Sequence, residues 1–127
     1  RGNPVGMVIQ NLLNGKNFKL VDDLMVNLLF VGDLCECVDR LVNRDVSGLV
    51  NIAGGQTLSR YDIGIIVAKC LGLDATLMKP CSMTEFPAVA KRPLDTTFST
   101  SLLKEITDFE ATPLEKVLEL CDYKQFY

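Results

Sequence analysis

Residues 48–62 read Gly48-Leu49-Val50-Asn51-Ile52-Ala53-Gly54-Gly55-Gln56-Thr57-Leu58-Ser59-Arg60-Tyr61-Asp62. Leu49 to Ala53 is a short apolar run of strand type, closed by the Gly54-Gly55 pair. Behind it Ser59 has the chemistry of a helix N-cap, with Asp62 three residues on as an approximate capping box. The helix it starts carries Ile63, Ile66, Val67, Cys70 and Leu71 at helical spacing, and Gly72 stops it. A strand-like run, a glycine turn and an amphipathic helix within 25 residues predict a mixed architecture, α/β or α+β.

The same alternation extends upstream. Pro4 to Asn14 places Val5, Val8, Ile9, Leu12 and Leu13 at helical spacing and ends at Gly15. Phe18 to Val21 is a short β-like run stopped by Asp22-Asp23. Val26 to Val31 is nearly all apolar and predicts a strand buried on both faces or against a partner. Gly32 opens a helix through Asn43, with Leu34, Cys37, Val38, Leu41 and Val42 on one stripe and Asp33 near its positive end. Downstream, Ala75 to Lys79 reads as extended before Pro80, and Ser82 to Pro93 as irregular, with Pro87 and Pro93 as breakers. Thr96 to Phe98 suits a short strand. Ser99 or Thr100 can cap a helix carrying Leu102, Leu103 and Ile106. Thr112-Pro113-Leu114-Glu115 combines an N-cap, a first-turn proline and an acidic third residue, ahead of a stripe of Leu114, Val117, Leu118 and Cys121.

The chain has 127 residues, which fits a single domain over 1–127. Thirteen Lys plus Arg against 16 Asp plus Glu leave a net charge of −3, so a nucleic-acid partner is not expected. Without His the commonest general base and zinc ligand are missing, and no metal ligand set is expected. The apolar stretch from Leu24 to Val31, interrupted by Asn27, is far short of the roughly 20 residues that cross a bilayer. Cys35, Cys37, Cys70, Cys81 and Cys121 lack the spacing of a disulfide scaffold. Cys35, Cys37, Cys70 and Cys121 fall in apolar helical patterns and read as small buried hydrophobes, in a reducing, cytoplasmic setting. Arg1-Gly2-Asn3-Pro4 resembles neither a start nor a signal peptide, and an excised fragment is the expectation.

Gly54-Gly55 lacks the third glycine of a phosphate loop and reads as a plain left-handed turn. Asp22-Asp23 reads as a solvated turn rather than an acid/base pair. In Lys91-Arg92-Pro93-Leu94-Asp95 a proline fixes the backbone beside two cations, and a guanidinium fork suits a diphosphate. A surface charge cluster fits the same residues equally well.

Three segments together resemble the carboxy-terminal, substrate-binding part of the extended short-chain dehydrogenase/reductases, among them the dTDP-4-dehydrorhamnose reductase family. The first is Asp22-Asp23 followed by Phe30-Val31-Gly32-Asp33-Leu34. The second is Gly48 to Gly54 with Leu58-Ser59-Arg60-Tyr61-Asp62. The third is the run from Ala90 to Leu103, centred on Arg92-Pro93-Leu94-Asp95. The similarity runs from about Gly2 to Cys121.

The resemblance implies a bilobal enzyme. An amino-terminal Rossmann lobe binds NAD(P) and carries a Tyr-x-x-x-Lys pair, and the smaller lobe closes over a nucleotide sugar. Arg92 would meet the substrate diphosphate with Asp95 beside it, and the Val31 to Asp33 corner would lie near the cleft between lobes. This chain would then hold no catalytic residue and no cofactor. NAD(P) is implied for the parent, and the implied partners are a nucleotide-sugar substrate, the Rossmann lobe and a second copy in a homodimer. The chain departs from the family in lacking the glycine-rich turn and the Tyr-x-x-x-Lys motif. It also carries Leu24, Leu28 and Leu29 where Gln, Pro and Thr are usual. An alternative expectation is a non-catalytic module similar to the regulatory β subunit of methionine adenosyltransferase.

Overall fold

The computed structural model describes residues 3–86, 90, 92–121 and 123. Gly2, Pro87 and Lys91, singled out in the sequence, lie outside the described residues.

Helix α1 (Pro4–Leu13) begins where Asn3 Oδ1 accepts a 2.9 Å hydrogen bond from the Val5 amide, with Pro4 in the first turn. Its Val5, Val8, Ile9 and Leu12 are buried, the spacing of a single core-facing stripe. Strand β1 (Phe18–Val21) follows, then β2 (Met25–Val26), α2 (Val31–Val42), β3 (Leu58–Ser59) and α3 (Arg60–Leu71). The capping box at α3 is complete. Ser59 Oγ accepts from the Asp62 amide at 3.0 Å, and Asp62 Oδ2 accepts from the Ser59 amide at 2.9 Å. Gly72, at φ 65°, ends that helix in the left-handed conformation that glycine adopts without steric cost. Strand β4 (Met78–Cys81) and helices α4 (Ser101–Thr107) and α5 (Leu114–Leu120) follow, with short 3₁₀ turns at Ala75–Leu77 and Met83–Glu85.

Two small sheets result. β1 pairs in parallel with β4, Phe18 opposite Met78 and Val21 opposite Cys81. β2 pairs antiparallel with β3, Met25 opposite Ser59. Helix α3 is the hub, packing on α1, on α5 and on the β1–β4 pair. It approaches that pair closely because residue 64 is glycine. A Cβ there would sit 2.6 Å from Leu20 Cδ1 and 2.8 Å from Met78 Sδ. The main core joins Val8, Ile9, Leu20, Ile63, Val67, Met78 and Leu118. A second, smaller core of Cys37, Leu103 and Phe109 lies between α2 and α4. Arg40 of α2 and Arg44, just past its end, tie these helices together. Arg40 donates to the carbonyls of Thr107 (3.0 Å) and Asp108 (3.1 Å), and Arg44 donates to that of Ile106. Carbonyls at a helix C-terminus lack intrahelical partners, so cations there are doubly favoured.

Several expectations are corrected by the fold. Only Met25 and Val26 of the apolar run to Val31 are paired, and residues 26–30 are half-buried rather than covered on both faces. A strand lasts only as long as its ladder, and β3 offers two residues. Val31 instead heads α2, one residue earlier than expected. Leu49 to Ala53 forms no strand, and Thr96 to Phe98 is irregular, with a single bridge between Met25 and Asp95 beside it. On α2, Cys37 is buried and Leu41 half-buried, but Leu34, Val38 and Val42 are exposed. On α3, Ile66 and Leu71 are half-buried and Cys70 is exposed, as is Cys35 on α2. Among the cysteines, Cys37 and Cys81 alone are buried.

Ala75 to Leu77 is a 3₁₀ turn capped by Asp74 rather than extended chain. Pro80 lies within β4 opposite Leu20, tolerated because each strand of a two-stranded sheet keeps a free edge. Neither Gly54 nor Gly55 has positive φ, so the pair is no left-handed turn. Thr112 does not cap α5, which begins behind Pro113.

Candidate functional site

The Val31 corner forms one side of a cavity of about 340 Å³. Leu28, Leu29 and Phe30 lead into it, and Val31 stands 68% exposed at the head of α2. Leu114 and Val117 of α5 line the opposite side.

Asn3, Gln56 and Thr112 on its wall are committed to holding helix entries. Asn3 caps α1. Gln56 Oε1 accepts from the Leu114 amide at 2.7 Å, and Gln56 Nε2 donates to Glu115 Oε2 at 3.0 Å, so it caps α5 from a distance in sequence. Thr112 donates from its amide to Asp33 Oδ2 and from its hydroxyl to Asp33 Oδ1, both at 2.7 Å. Asp33 is buried at 6% exposure. It reaches across 79 residues of sequence to fix the segment that leads into α5. The cavity therefore presents mostly apolar surface, Leu28 and Leu29 included.

The Arg92 to Asp95 run is placed elsewhere. Arg92 and Asp95 are exposed and do not line the 340 Å³ cavity. Arg92 has no hydrogen bond or ion pair among the described residues. The backbone around it is anchored to β2. The Met25 amide donates to the Leu94 carbonyl at 2.7 Å, and the Thr96 amide to the Met25 carbonyl at 3.1 Å. The Phe98 amide donates to Asn27 Oδ1 at 2.8 Å. Asp95 Oδ1 accepts from the amide (2.9 Å) and hydroxyl (2.7 Å) of Thr97, closing an Asx turn. The fold thus brings Arg92 and Asp95 to the β2 end of the segment whose far end is Val31 and Asp33. Gln56 and Thr112 were not legible as site-forming. Gln56 follows a glycine pair with no pattern of its own, and Thr112 carries a capping signal that Asp33 takes over.

Asp23 is no simple solvated turn. Its carboxylate accepts from Ser82 Oγ at 2.6 Å and from the Met83 amide at 2.8 Å. These bonds hold its pKa below the ordinary 3.8, and the Thr97 amide and hydroxyl do the same for Asp95. A depressed carboxylate pKa adds stability above the unfolded-state value and loses it as pH falls through the lower folded value. Thermal midpoints should therefore be flat from about pH 7 to 5 and fall below about pH 4. In Asp23→Asn and Asp95→Asn variants that acid-side slope should become shallower. An unchanged slope in both would assign it to other groups.

Among the described residues, no group of three or more His, Cys, Asp or Glu side chains is placed to hold a metal. No helix among them is long and apolar enough to cross a membrane.

The family model described as RmlD substrate binding domain matches residues 1–124. No curated protein sequence matches. Among solved structures, the dTDP-4-dehydrorhamnose reductase of Bacillus anthracis str. Ames, in complex with NADP, is similar with a TM-score of 0.82 at 20% identity, over 94% of this chain and 42% of that one. A dTDP-4-dehydrorhamnose reductase from Clostridium acetobutylicum matches with a TM-score of 0.79 at 24% identity, over 99% of this chain and 44% of that one. The Bordetella bronchiseptica enzyme WbmG, in complex with NAD and UDP, gives 0.76 at 15% identity, over 98% and 39%. The chain thus spans about two fifths of the length of the solved proteins it matches. Those likenesses establish the fold, and with the family model spanning nearly the whole chain, this α/β domain belongs to the RmlD substrate-binding domain family.

Proposed function

We propose that this domain binds and orients a nucleotide-diphosphate 4-keto sugar for reduction in a longer, NAD(P)-dependent reductase of the dTDP-4-dehydrorhamnose reductase type. The observation that carries the proposal is the substrate-binding family match over residues 1–124.

The dinucleotide does not fit the residues of this chain. The glycine-rich turn is lacking, and Gly54, the nearest substitute, is packed against a backbone. A Cβ there would lie 1.7 Å from the Leu28 carbonyl oxygen, so the glycine is needed for chain packing rather than for a phosphate cradle. In the longer protein the cofactor belongs to the remaining polypeptide.

What this chain supplies is positioning. Arg92 presents an exposed guanidinium, uncommitted among the described residues, on a backbone held by Pro93, the Asp95 turn and the Met25 bridge. A planar fork on a fixed backbone can accept a diphosphate in bidentate fashion with little ordering cost. Asp95, committed to Thr97, sets the turn that aims it. Val31 would contribute apolar contact at the cavity mouth, and Asp33 would act through Thr112 by keeping the α5 wall in register.

In the longer protein, Arg92→Ala should raise KM for the nucleotide sugar by about 10- to 100-fold, the loss of one or two charge-assisted hydrogen bonds. kcat should change little, since the contact is made in ground and transition states alike. An unchanged KM would remove Arg92 from the site. Calorimetric titration with dTDP, UDP and GDP sugars would identify the nucleotide, and failure of all three to bind would sink the substrate-binding proposal.

A further inference from the structure

Asn27 interrupts the apolar run from Leu24 to Val31, and the fold gives that interruption a use. Its Oδ1 accepts a 2.8 Å hydrogen bond from the Phe98 amide, across 71 residues of sequence. The side chain gives up apolar contact at this point and gains one long-range bond.

The segment at the other end of that bond has little else to fix it. Residues 92–96 and Phe98 are exposed, and Thr97 is half-buried. Leu94 and Phe98 stand 50% and 55% exposed, so packing contributes little. Among the described residues, every hydrogen bond that joins 92–98 to the rest of the chain lands on Met25 or Asn27. Those at Met25 share one residue. Its amide donates to the Leu94 carbonyl, and its carbonyl accepts from the Thr96 amide and the Thr96 hydroxyl. Bonds gathered at one residue leave a segment free to swing about that point. Asn27 lies two residues further on, up to about 7 Å along the chain, and its bond supplies the second pin that sets the direction. Asn27 also adjoins Leu28, Leu29, Phe30 and Val31, which line the 340 Å³ cavity. One side chain therefore ties the Arg92 segment to the cavity wall.

We infer that Asn27 is a positioning residue for nucleotide-sugar binding. Its Oδ1, through the Phe98 amide, holds the Arg92 segment at a fixed spacing from the cavity wall, so that one ligand meets the guanidinium and the cavity together. The inference deepens the functional proposal and rests on it. Asn27 acts through Arg92 and makes no ligand contact of its own.

Steady-state kinetics of the longer protein, in a cycle with Arg92→Ala, test this role. Asn27→Ala should raise KM for the nucleotide sugar about 3- to 10-fold, the worth of one neutral hydrogen bond, with kcat changed less than about 2-fold. In the Arg92→Ala background the same substitution should raise KM less than about 2-fold, because the group it positions is gone. Hydrogen exchange reads the anchor directly. The Phe98 amide should exchange about 10-fold or more faster in Asn27→Ala, and stay protected in Asn27→Asp, which keeps the acceptor. Arg92→Ala should leave that exchange unchanged. A faster Phe98 amide with unchanged KM overturns the inference, since the segment is then released without consequence for the ligand. Equal KM rises in both backgrounds also overturn it, making Asn27 a ligand contact in its own right, and so does unaltered Phe98 exchange in Asn27→Ala. Failure of the two ideas looks different. No effect at Asn27 beside an intact Arg92→Ala effect removes the positioning role alone, whereas unchanged KM in Arg92→Ala removes the Arg92 site and the positioning role with it.

Discussion

Asp33→Ala should lower the unfolding free energy by about 3 kcal/mol, equivalent to roughly 10 °C in thermal midpoint. The side chain is 6% exposed and both carboxylate oxygens accept from Thr112 at 2.7 Å. Bonds to a charged acceptor are worth more than neutral ones, and the alanine leaves the Thr112 amide without its partner. The loss also spreads, because Thr112 lies two residues ahead of α5, whose first amide is held by Gln56. Freeing Thr112 loosens the wall that α5 gives the cavity. Asp33→Asn should retain most of the stability, since its carbonyl can still accept from the Thr112 amide while its NH₂ donates to the hydroxyl. A double-mutant cycle with Thr112→Val, measured by denaturant unfolding, should show a coupling of about 1–2 kcal/mol. Additive single effects would mean that the contact contributes nothing of its own.

The Asp33 bond also marks where sequence reading stops. An Asp in the first turn of an apolar-striped helix carries a local explanation, the helix dipole, and that explanation makes no reference to Thr112. Long-range pairs of this kind have no periodicity and no fixed spacing. The same holds for Gln56, which caps a helix 58 residues away. Signals confined to one element were legible. The Ser59–Asp62 box, the Asn14–Gly15 and Gly72 stops, and the buried stripes of α1 and α5 follow from local capping and 3.6-residue spacing, although Leu13, expected on the α1 stripe, is exposed. Strand expectations were the least secure, because a strand is defined by its partner. Phe18 to Val21 has β4 and is formed, whereas Leu49 to Ala53 has strand residues and no ladder among the described residues. The Arg92 run was legible as chemistry but not as place. Nothing in Arg-Pro-Leu-Asp says that it will hang from Met25, because that anchor is made by backbone groups, which every residue has.

The resemblance noted from three short motifs agrees with the family model across residues 1–124, and with folds that are only 15–24% identical. Motifs carried what composition could not. The absence of His removes common catalytic chemistry from this chain, yet says little about a domain of a substrate-binding family. The apolar content, 48% of residues, is likewise explained only in part by the two cores. Part of the rest is exposed, at Val31, Leu34, Val38 and Val42 of α2 and at residues such as Leu13, Leu49 and Leu120 elsewhere.

Gly54→Ala should be the most damaging single-methyl change in the chain, at about 3 kcal/mol or more. The added Cβ would lie 1.7 Å from the Leu28 carbonyl oxygen and 2.7 Å from its carbon. Both are backbone atoms, so no rotamer change relieves the overlap, and the segment from Leu28 to Val31 must move as a unit. Conformational strain plays no part, since Gly54 does not have positive φ. The adjacent Gly55 supplies the control. It too lacks positive φ, and a Cβ there meets nothing within 4 Å. Gly55→Ala should therefore be neutral or stabilise by up to about 1 kcal/mol, through reduced freedom of the unfolded chain. Urea unfolding of the two variants side by side separates overlap from any generic cost of losing glycine, and equal midpoints would refute the close approach to Leu28. A functional consequence follows from the same displacement. Leu28 and Val31 both line the 340 Å³ cavity, so, on the proposed function, whatever Gly54→Ala leaves folded should bind a nucleotide sugar more weakly in the longer protein. Gly55→Ala, which moves no backbone, should bind it as the parent does.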